Sequence, residues 1–220
     1  MQIANPIYDV VFKYLLDDNR VAKKLLSLII GQEIVELTLC PTEIRSDMEG
    51  RTLTVYRLDF SAIVKLNNGE RKNVLIEIQK AKFPTDIMRF RKYLGNRYAD
   101  KSNSYPDENG RTHALPIITI YFLGHSLQDI DAPIIKVDRN YIDLVNGNTI
   151  AKTNEFIESL THDSYVIQIP RLRRNSKDRL EKVLSVFEQA ESINHLIDIN
   201  EEDYPEEYQE VIRRLKKAAA

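Results

Sequence analysis

Two apolar runs around one Asn-Gly step constrain this chain more than anything else in it. Side chains alternate along a strand, so in Thr54–Val64 the residues Leu58, Phe60, Ala62 and Val64 share one face, while Arg57, Asp59 and Ser61 share the other. In Val74–Lys80 the apolar face is Val74, Ile76 and Ile78, and Leu75, Glu77 and Gln79 lie opposite. Asn68-Gly69 between the runs is a strong hairpin signal and predicts antiparallel pairing. Loop length then sets the register. A two-residue turn would put Asp59 against Ile78 and Phe60 against Glu77, mixing polar and apolar groups on both faces. A three-residue turn, Asn67-Asn68-Gly69 with Gly69 left-handed, pairs Phe60 with Ile76, Leu58 with Ile78 and Ala62 with Val74. Hydrophobic burial selects this second register. It also sets Asp59 across from Glu77 and Arg57 across from Gln79, at roughly 5 Å between Cβ atoms.

Two physical readings of the acid pair follow. One face of an antiparallel sheet can be wet, and a wet face tolerates acids. Alternatively, carboxylates this close repel one another unless one is protonated or a cation lies between them. Mg²⁺ suits the second reading, because it is a hard ion content with one or two carboxylates and keeps its other positions for water and phosphate oxygens. No soft ligand is near, which argues against zinc.

The rest of the chain supplies a core for this hairpin. Asn5 is placed as a helix N-cap with Pro6 at the first helical position, and Asp17-Asp18-Asn19 ends that helix. A second helix carrying Leu25, Leu26, Ile29 and Ile30 stops at Gly31. Loose alternation over Ile34–Ile44 predicts the first strand, with a turn at Ser46–Gly50. After the hairpin, Thr85 caps a helix in which Ile87, Phe90, Leu94 and Tyr98 form a stripe expected to be buried. Its other faces carry Arg89, Arg91, Lys92, Arg97 and Lys101, either a phosphate-binding patch or a solvated face. A polar loop over Ser102–Thr112 leads to Leu115–Leu123, a nearly continuous apolar run suited to a strand buried on both faces. The order is therefore helix, three strands, helix, strand. Beyond Gly124, Tyr165–Ile169 reads as a further strand, Leu180, Val183, Leu184 and Phe187 as an amphipathic helix starting near Ser176, and a last helix begins near Pro205.

At 220 residues the chain suits one domain with appended helices. Its formal net charge of −2 gives no general attraction to nucleic acid, so any DNA contact has to be local. The basic stretch Arg171–Lys177 reads first as a solvated charge run. A single cysteine, Cys40, excludes an internal disulfide framework and fits a reducing, cytoplasmic setting. No apolar run approaches the ~20 residues of a membrane span, and Asp9, Lys13 and Asp17 interrupt any signal-peptide pattern. His113, His125, His162 and His195 show no metal-ligand spacing. Lys80 lies by parity on the face opposite Gln79 and is read as a surface lysine. Asp9 is read as an acid suited to a helix N-terminus, with a place near the acid pair as the alternative.

An Asp on one strand, a short turn and Glu-x-Gln on the next resembles the active site of the PD-(D/E)XK nuclease superfamily, with Asp59, Glu77 and Gln79 at its motif positions. Four ordered blocks extend the likeness over about residues 5–125: Asn5–Lys13, Leu75–Gln79, Arg89-x-x-x-Tyr93 and Leu115–Ile120. They are similar to the branch known as PD-(D/E)XK nuclease family transposases, or recombination-promoting nucleases. The resemblance implies an α/β (α+β) fold with a restriction-endonuclease-like αβββαβ core, a mixed central sheet flanked by helices, in residues 1–125. Residues 126–220 are expected to add a strand and helices to it. It further implies a Mg²⁺-dependent DNA endonuclease associated with transposition or recombination, with Mn²⁺ as the alternative ion. Asp59, Glu77 and the backbone carbonyl of Ile78 would hold the metal, Gln79 would position the attacking water, and Arg89, Arg91, Lys92 and Arg97 would contact DNA. Gln79 departs from the superfamily's usual Lys and removes a charge from the site. A catalytically inactive scaffold that binds nucleic acid or protein is the competing expectation. A homodimer stays open, and no membrane partner is expected.

Overall fold

The computed structural model describes residues 1–40, 56–66, 69–81, 83–188 and 196–219, and of 56–58 the backbone only. The expected turn at Ser46–Gly50, the hairpin residues Asn67 and Asn68, and His195 lie outside the described residues.

A mixed six-stranded sheet organises the molecule. Its strands are β1 (Glu33–Leu39), β2 (Tyr56–Lys65), β3 (Arg71–Ala81), β4 (Ile117–Leu123), β5 (Ile134–Val137) and β6 (Asp163–Gln168). They lie in the order β1-β2-β3-β4-β6-β5. Adjacent strands run antiparallel from β1 to β3, parallel from β3 through β4 to β6, and antiparallel at β5. The helices are α1 (Asp9–Asp17), α2 (Asn19–Ile30), α3 (Ile87–Ala99), α4 (Glu155–Leu160), α5 (Arg179–Leu184) and α6 (Gln209–Ala219). Short two-stranded pairs join Gln2–Ala4 to Leu196–Asp198, Ser104–Pro106 to Thr112–Ala114, and Tyr141–Ile142 to Thr149–Ile150.

The two sheet faces differ in chemistry. One carries Phe60, Ala62 and Val64 of β2, Val74, Ile76 and Ile78 of β3, Ile118, Ile120 and Phe122 of β4, and Tyr165 and Ile167 of β6. These form a single core with α1, α2, α5 and α6. Phe12, Phe122 and Phe187 meet at its centre with ring centroids 4.8–5.9 Å apart. Arg214 of α6 stacks on the Tyr14 ring and donates to the Tyr14 carbonyl at 2.7 Å, which ties the last helix to the first. The other face holds a much smaller apolar cluster of Ala81, Phe90 and Leu123, bordered by Tyr121, Leu127 and Val166, with α3 above it.

Several local expectations hold, and others are corrected. The carboxylate of Asp18 accepts from the Arg20 amide at 3.0 Å to start α2, and Gly31, at φ 73°, ends it in the left-handed region that favours glycine. The first helix begins at Asp9 rather than Pro6. Asn5 is buried and turns its side chain onto the Ile7 amide at 2.9 Å, a local turn that replaces the expected cap. In α3, Asp86 rather than Thr85 closes the N-terminus by accepting from the Phe83 amide at 3.1 Å. The stripe on that helix buries Phe90 alone, since Ile87 and Tyr98 remain 54% and 43% exposed. The expected loop after α3 contains a short hairpin turning at Gly110, and α5 starts at Arg179, where Asp178 caps it.

Candidate functional site

The hairpin register is the one selected by apolar burial. Phe60 pairs with Ile76, Leu58 with Ile78, Ala62 with Val74, Asp59 with Glu77 and Arg57 with Gln79. The turn closes as expected around Gly69, at φ 85°, with the Leu66 amide donating to the Glu70 carbonyl at 2.8 Å. Asp59, Glu77 and Gln79 therefore share the face of the sheet that looks toward α3. Each is 0% exposed, which overturns the water-facing reading of the pair. Two carboxylates withdrawn from solvent need compensating charge or hydrogen bonds.

The compensation comes partly from within the site. Gln79 Nε2 donates to Glu77 Oε1 at 2.6 Å. Arg97 Nη2 donates to Asp59 Oδ2, forming an ion pair in which the arginine side chain is only 15% exposed. Arg97 was expected on the outer, DNA-facing side of α3; its guanidinium instead turns inward. Arg89 leans toward Asp86 at 3.8 Å, while Arg91 and Lys92 stay on the exposed surface of the helix. Tyr93 is half-buried.

Strand β4 completes the floor. Its parallel register sets Thr119 beside Glu77 and Tyr121 beside Gln79. Thr119 is fully buried and donates through Oγ1 to Ser164 Oγ at 2.8 Å. Tyr121 stacks under Phe90 at 5.0 Å between centroids. Burial raises the pKa of the Tyr121 phenol, the Glu77 charge adds to the shift, and the Thr119 hydroxyl opposes it. The phenol thus stays protonated at neutral pH and remains a donor. At the far end of α3, the Tyr98 hydroxyl meets His162 Nδ1 at 2.8 Å. Burial, together with Tyr121 and against the opposing Arg139 charge, pushes the Tyr98 pKa up to about 12.

The reading of Lys80 is corrected here, while Asp9 lies in the first turn of α1 as expected. Lys80 occupies the face opposite Gln79, as parity requires, but that face is core rather than surface. Its ammonium is buried, donates to the Ile7 carbonyl and to Asp9, and lies 5.7 Å from the centre of the Phe12 ring. Burial lowers the Lys80 pKa and the Asp9 carboxylate resists that shift. Asp9 is accordingly engaged on the far side of the sheet from Glu77. The arginines of the Arg171–Lys177 stretch form ion pairs within the fold, Arg171 with Asp131 at 2.7 Å, Arg173 with Glu181 at 3.0 Å and Arg174 with Glu188 at 3.1 Å.

The donor chemistry of the acid pair suits a hard divalent ion, in three steps of diminishing strength. Asp59 and Glu77 bring two carboxylates together. Gln79 Oε1 is a buried acceptor with no hydrogen-bond partner among the described residues, and a neutral amide oxygen is an acceptable ligand for Mg²⁺ or Mn²⁺. Ile78 is less well placed: its register partners Leu58 and Ile120 flank it on both sides, so its carbonyl lies in the sheet ladder and would have to leave it to reach a metal. Among the described residues, no group of three or more His, Cys, Asp or Glu side chains is arranged to hold a metal. The cation that Asp59 meets in this structure is the Arg97 guanidinium.

Thr119 and Tyr121 are members of this site that the sequence did not point to, and Arg97, expected to contact DNA, pairs with Asp59 instead. Arg89, Tyr93 and Arg97 recur every four residues, which puts Arg97 on the side of α3 that faces the sheet. Thr119 and Tyr121 carry the only side-chain polar atoms in the Leu115–Leu123 run, two residues apart and so on one face. No protein-family profile, curated protein or solved structure matches the chain.

Proposed function

We propose that this chain is a metal-dependent endonuclease of the PD-(D/E)XK kind, hydrolysing phosphodiester bonds in DNA in connection with transposition or recombination. The observation that carries the proposal is the convergence of Asp59 and Glu77, register partners withdrawn from solvent beside Gln79. Packing on the opposite face dictates that placement, and buried carboxylates side by side cost stability unless a proton, a cation or hydrogen bonds offset them, which makes such a pair a functional-site candidate. The order of two helices, three strands, a helix and a strand around a mixed sheet supports a restriction-endonuclease-like core.

In this reading Asp59, Glu77 and the amide oxygen of Gln79 would hold Mg²⁺ or Mn²⁺, with the Ile78 carbonyl as a further candidate. When bound, the ion supplies Lewis-acid polarisation of a phosphoryl oxygen and a water of lowered pKa. Gln79 orients the Glu77 carboxylate through its amide and lacks the positive charge a lysine would bring. The protonated Tyr121 phenol offers a donor to a phosphate oxygen. Arg91 and Lys92, exposed on α3, are placed to meet neighbouring phosphates, and their contribution should weaken as salt rises. Because the acids are fully covered, α3 or the Arg97 side chain has to move before DNA reaches them.

The test is nicking of supercoiled plasmid in Mg²⁺ or Mn²⁺ by the wild type and by Asp59→Asn and Glu77→Gln variants whose circular dichroism matches it. Loss of nicking in both variants is expected; equal nicking by all three proteins would exclude the assignment. One observation favours a second reading, a non-catalytic module that binds nucleic acid or protein: a guanidinium already neutralises Asp59. DNA retention without cleavage in either metal would select it.

A further inference from the structure

We propose that Arg97 competes with the divalent ion for Asp59, and so sets the metal affinity of the site by releasing Asp59 while it keeps Asp100. The inference rests on the metal-site reading above and extends it to regulation of the same site.

The charge arithmetic comes first. With both carboxyls ionised, as holding a metal requires, Asp59 and Glu77 bring two negative charges into a region closed to solvent. One guanidinium neutralises half of that, and one divalent ion would neutralise all of it. With both cations present the region would hold a net positive charge out of water, which is costly. Binding the ion and retaining Arg97 on Asp59 are therefore opposed, and the exchange of one for the other is the state change the site favours.

The structure also supplies a place for the displaced side chain. Arg97 Nη1 lies 3.5 Å from Asp100 Oδ2, one helical turn on, and that carboxylate is 38% exposed. Hydrogen bonds from the Ser102 hydroxyl and amide, with the Arg97 charge, hold the Asp100 pKa below the ordinary carboxylate range, so it is ionised and ready to accept the guanidinium at neutral pH. The backbone at this point is fixed, because Asn103 Nδ2 donates to the Arg97 carbonyl at 2.8 Å. The guanidinium bridges the two acids, so the motion needed is a small rotation of one long side chain about an anchored stem that releases the buried acid and keeps the partly exposed one. Arg97 Nε, buried and with no hydrogen-bond partner among the described residues, does not hold the side chain in its inward position.

Isothermal titration of the 220-residue chain with Mn²⁺ tests the competition without reference to cleavage. The proteins are the wild type, Arg97→Gln, Arg97→Lys, Asp100→Asn, and Arg91→Gln as a control for simple loss of charge on the same helix. If Arg97 occupies Asp59 in nine molecules of ten or more, its removal should tighten Mn²⁺ binding about tenfold or more. Arg97→Lys should fall between Arg97→Gln and wild type, Asp100→Asn should bind more weakly than wild type, and Arg91→Gln should change affinity by less than about twofold. If Arg97→Gln fails to fold, Arg97→Lys keeps the charge and carries the test alone. Equal Mn²⁺ affinity in the wild type and the folded Arg97 variants would overturn the competition while leaving the metal site standing. Absence of Mn²⁺ binding in every variant would overturn the metal site and the competition together.

Discussion

Removing the guanidinium from Asp59 is the most informative stability perturbation available in this fold. Asp59 is 0% exposed and the Arg97 side chain 15% exposed, so the pair is nearer to a buried ion pair than to a surface one. Arg97→Met keeps most of the stem and its packing but leaves a carboxylate inside the protein without this cation. Breaking a buried pair on one side costs about 3–5 kcal/mol, and the partial exposure of Arg97 places the expected loss near the lower end, about 3 kcal/mol. For a chain of this size that corresponds to a fall in melting temperature of roughly 6–12 °C. Asp59→Asn should cost less, because it also relieves the repulsion from Glu77 and leaves the guanidinium its pairing with Asp100. The double variant removes both charges and should be more stable than the sum of the single losses predicts, by about 1.5 kcal/mol or more. Urea unfolding of the four proteins, followed by far-ultraviolet circular dichroism, measures the cycle. Additivity within about 0.5 kcal/mol would show that the two side chains do not interact, and would refute the geometry of the site.

Two further outcomes follow from the packing and from the histidines. Ile76 is wholly buried, opposite Phe60 and beside Ile118, so Ile76→Ala should destabilise by about 2–5 kcal/mol in chemical denaturation, whereas a loss below about 1 kcal/mol would argue that this face does not hold the register. The pKa of His162 is lowered by burial and by Arg139, against the opposing Asp163 charge. The unfolded chain therefore binds its proton first as pH falls, so the stability that neutral His162 confers is present above its ordinary value near 6.5 and is lost below it. The pKa of His113 is raised by its hydrogen bond to Asp107, against the opposing effect of burial, and Glu155 adds to the rise. Its contribution is present below pH 6.5 and is lost as pH rises through the raised value. Histidine proton resonances titrated from pH 5 to 8 should show the two shifts in opposite directions, and His162→Gln should remove only the loss on the acid side.

What the sequence revealed and what it hid both have physical reasons. The β2–β3 register was legible because three apolar pairs and the loop length admit one solution, and a shift of one residue would turn the whole set to the wrong face. The acids followed from that register without any information about function. Their burial was not legible, because alternation says which residues share a face and not what covers the face. The same limit explains Lys80: parity placed it correctly opposite Gln79, but a lysine on an apolar face becomes buried once an acid from another element, here Asp9, is there to receive it. Arg97 was misplaced because charge was used to define the outside of α3. That helix is only lightly packed, with Phe90 its single buried residue, so its apolar residues were a poor guide to the side facing the sheet. Strand β5 and the hairpin at Tyr141–Ile150 went unread because their alternation is short and mostly exposed, with Leu144 and Val145 almost fully in solvent.

The most direct measurement of the central claim is an anomalous-difference map from crystals of the wild type grown with Mn²⁺. The account predicts a single strong peak between Asp59 and Glu77, about 2.2 Å from an oxygen of each, with Arg97 turned away from Asp59. A map with no peak at that position in crystals that carry Mn²⁺ elsewhere, and with Arg97 still on Asp59, would contradict it.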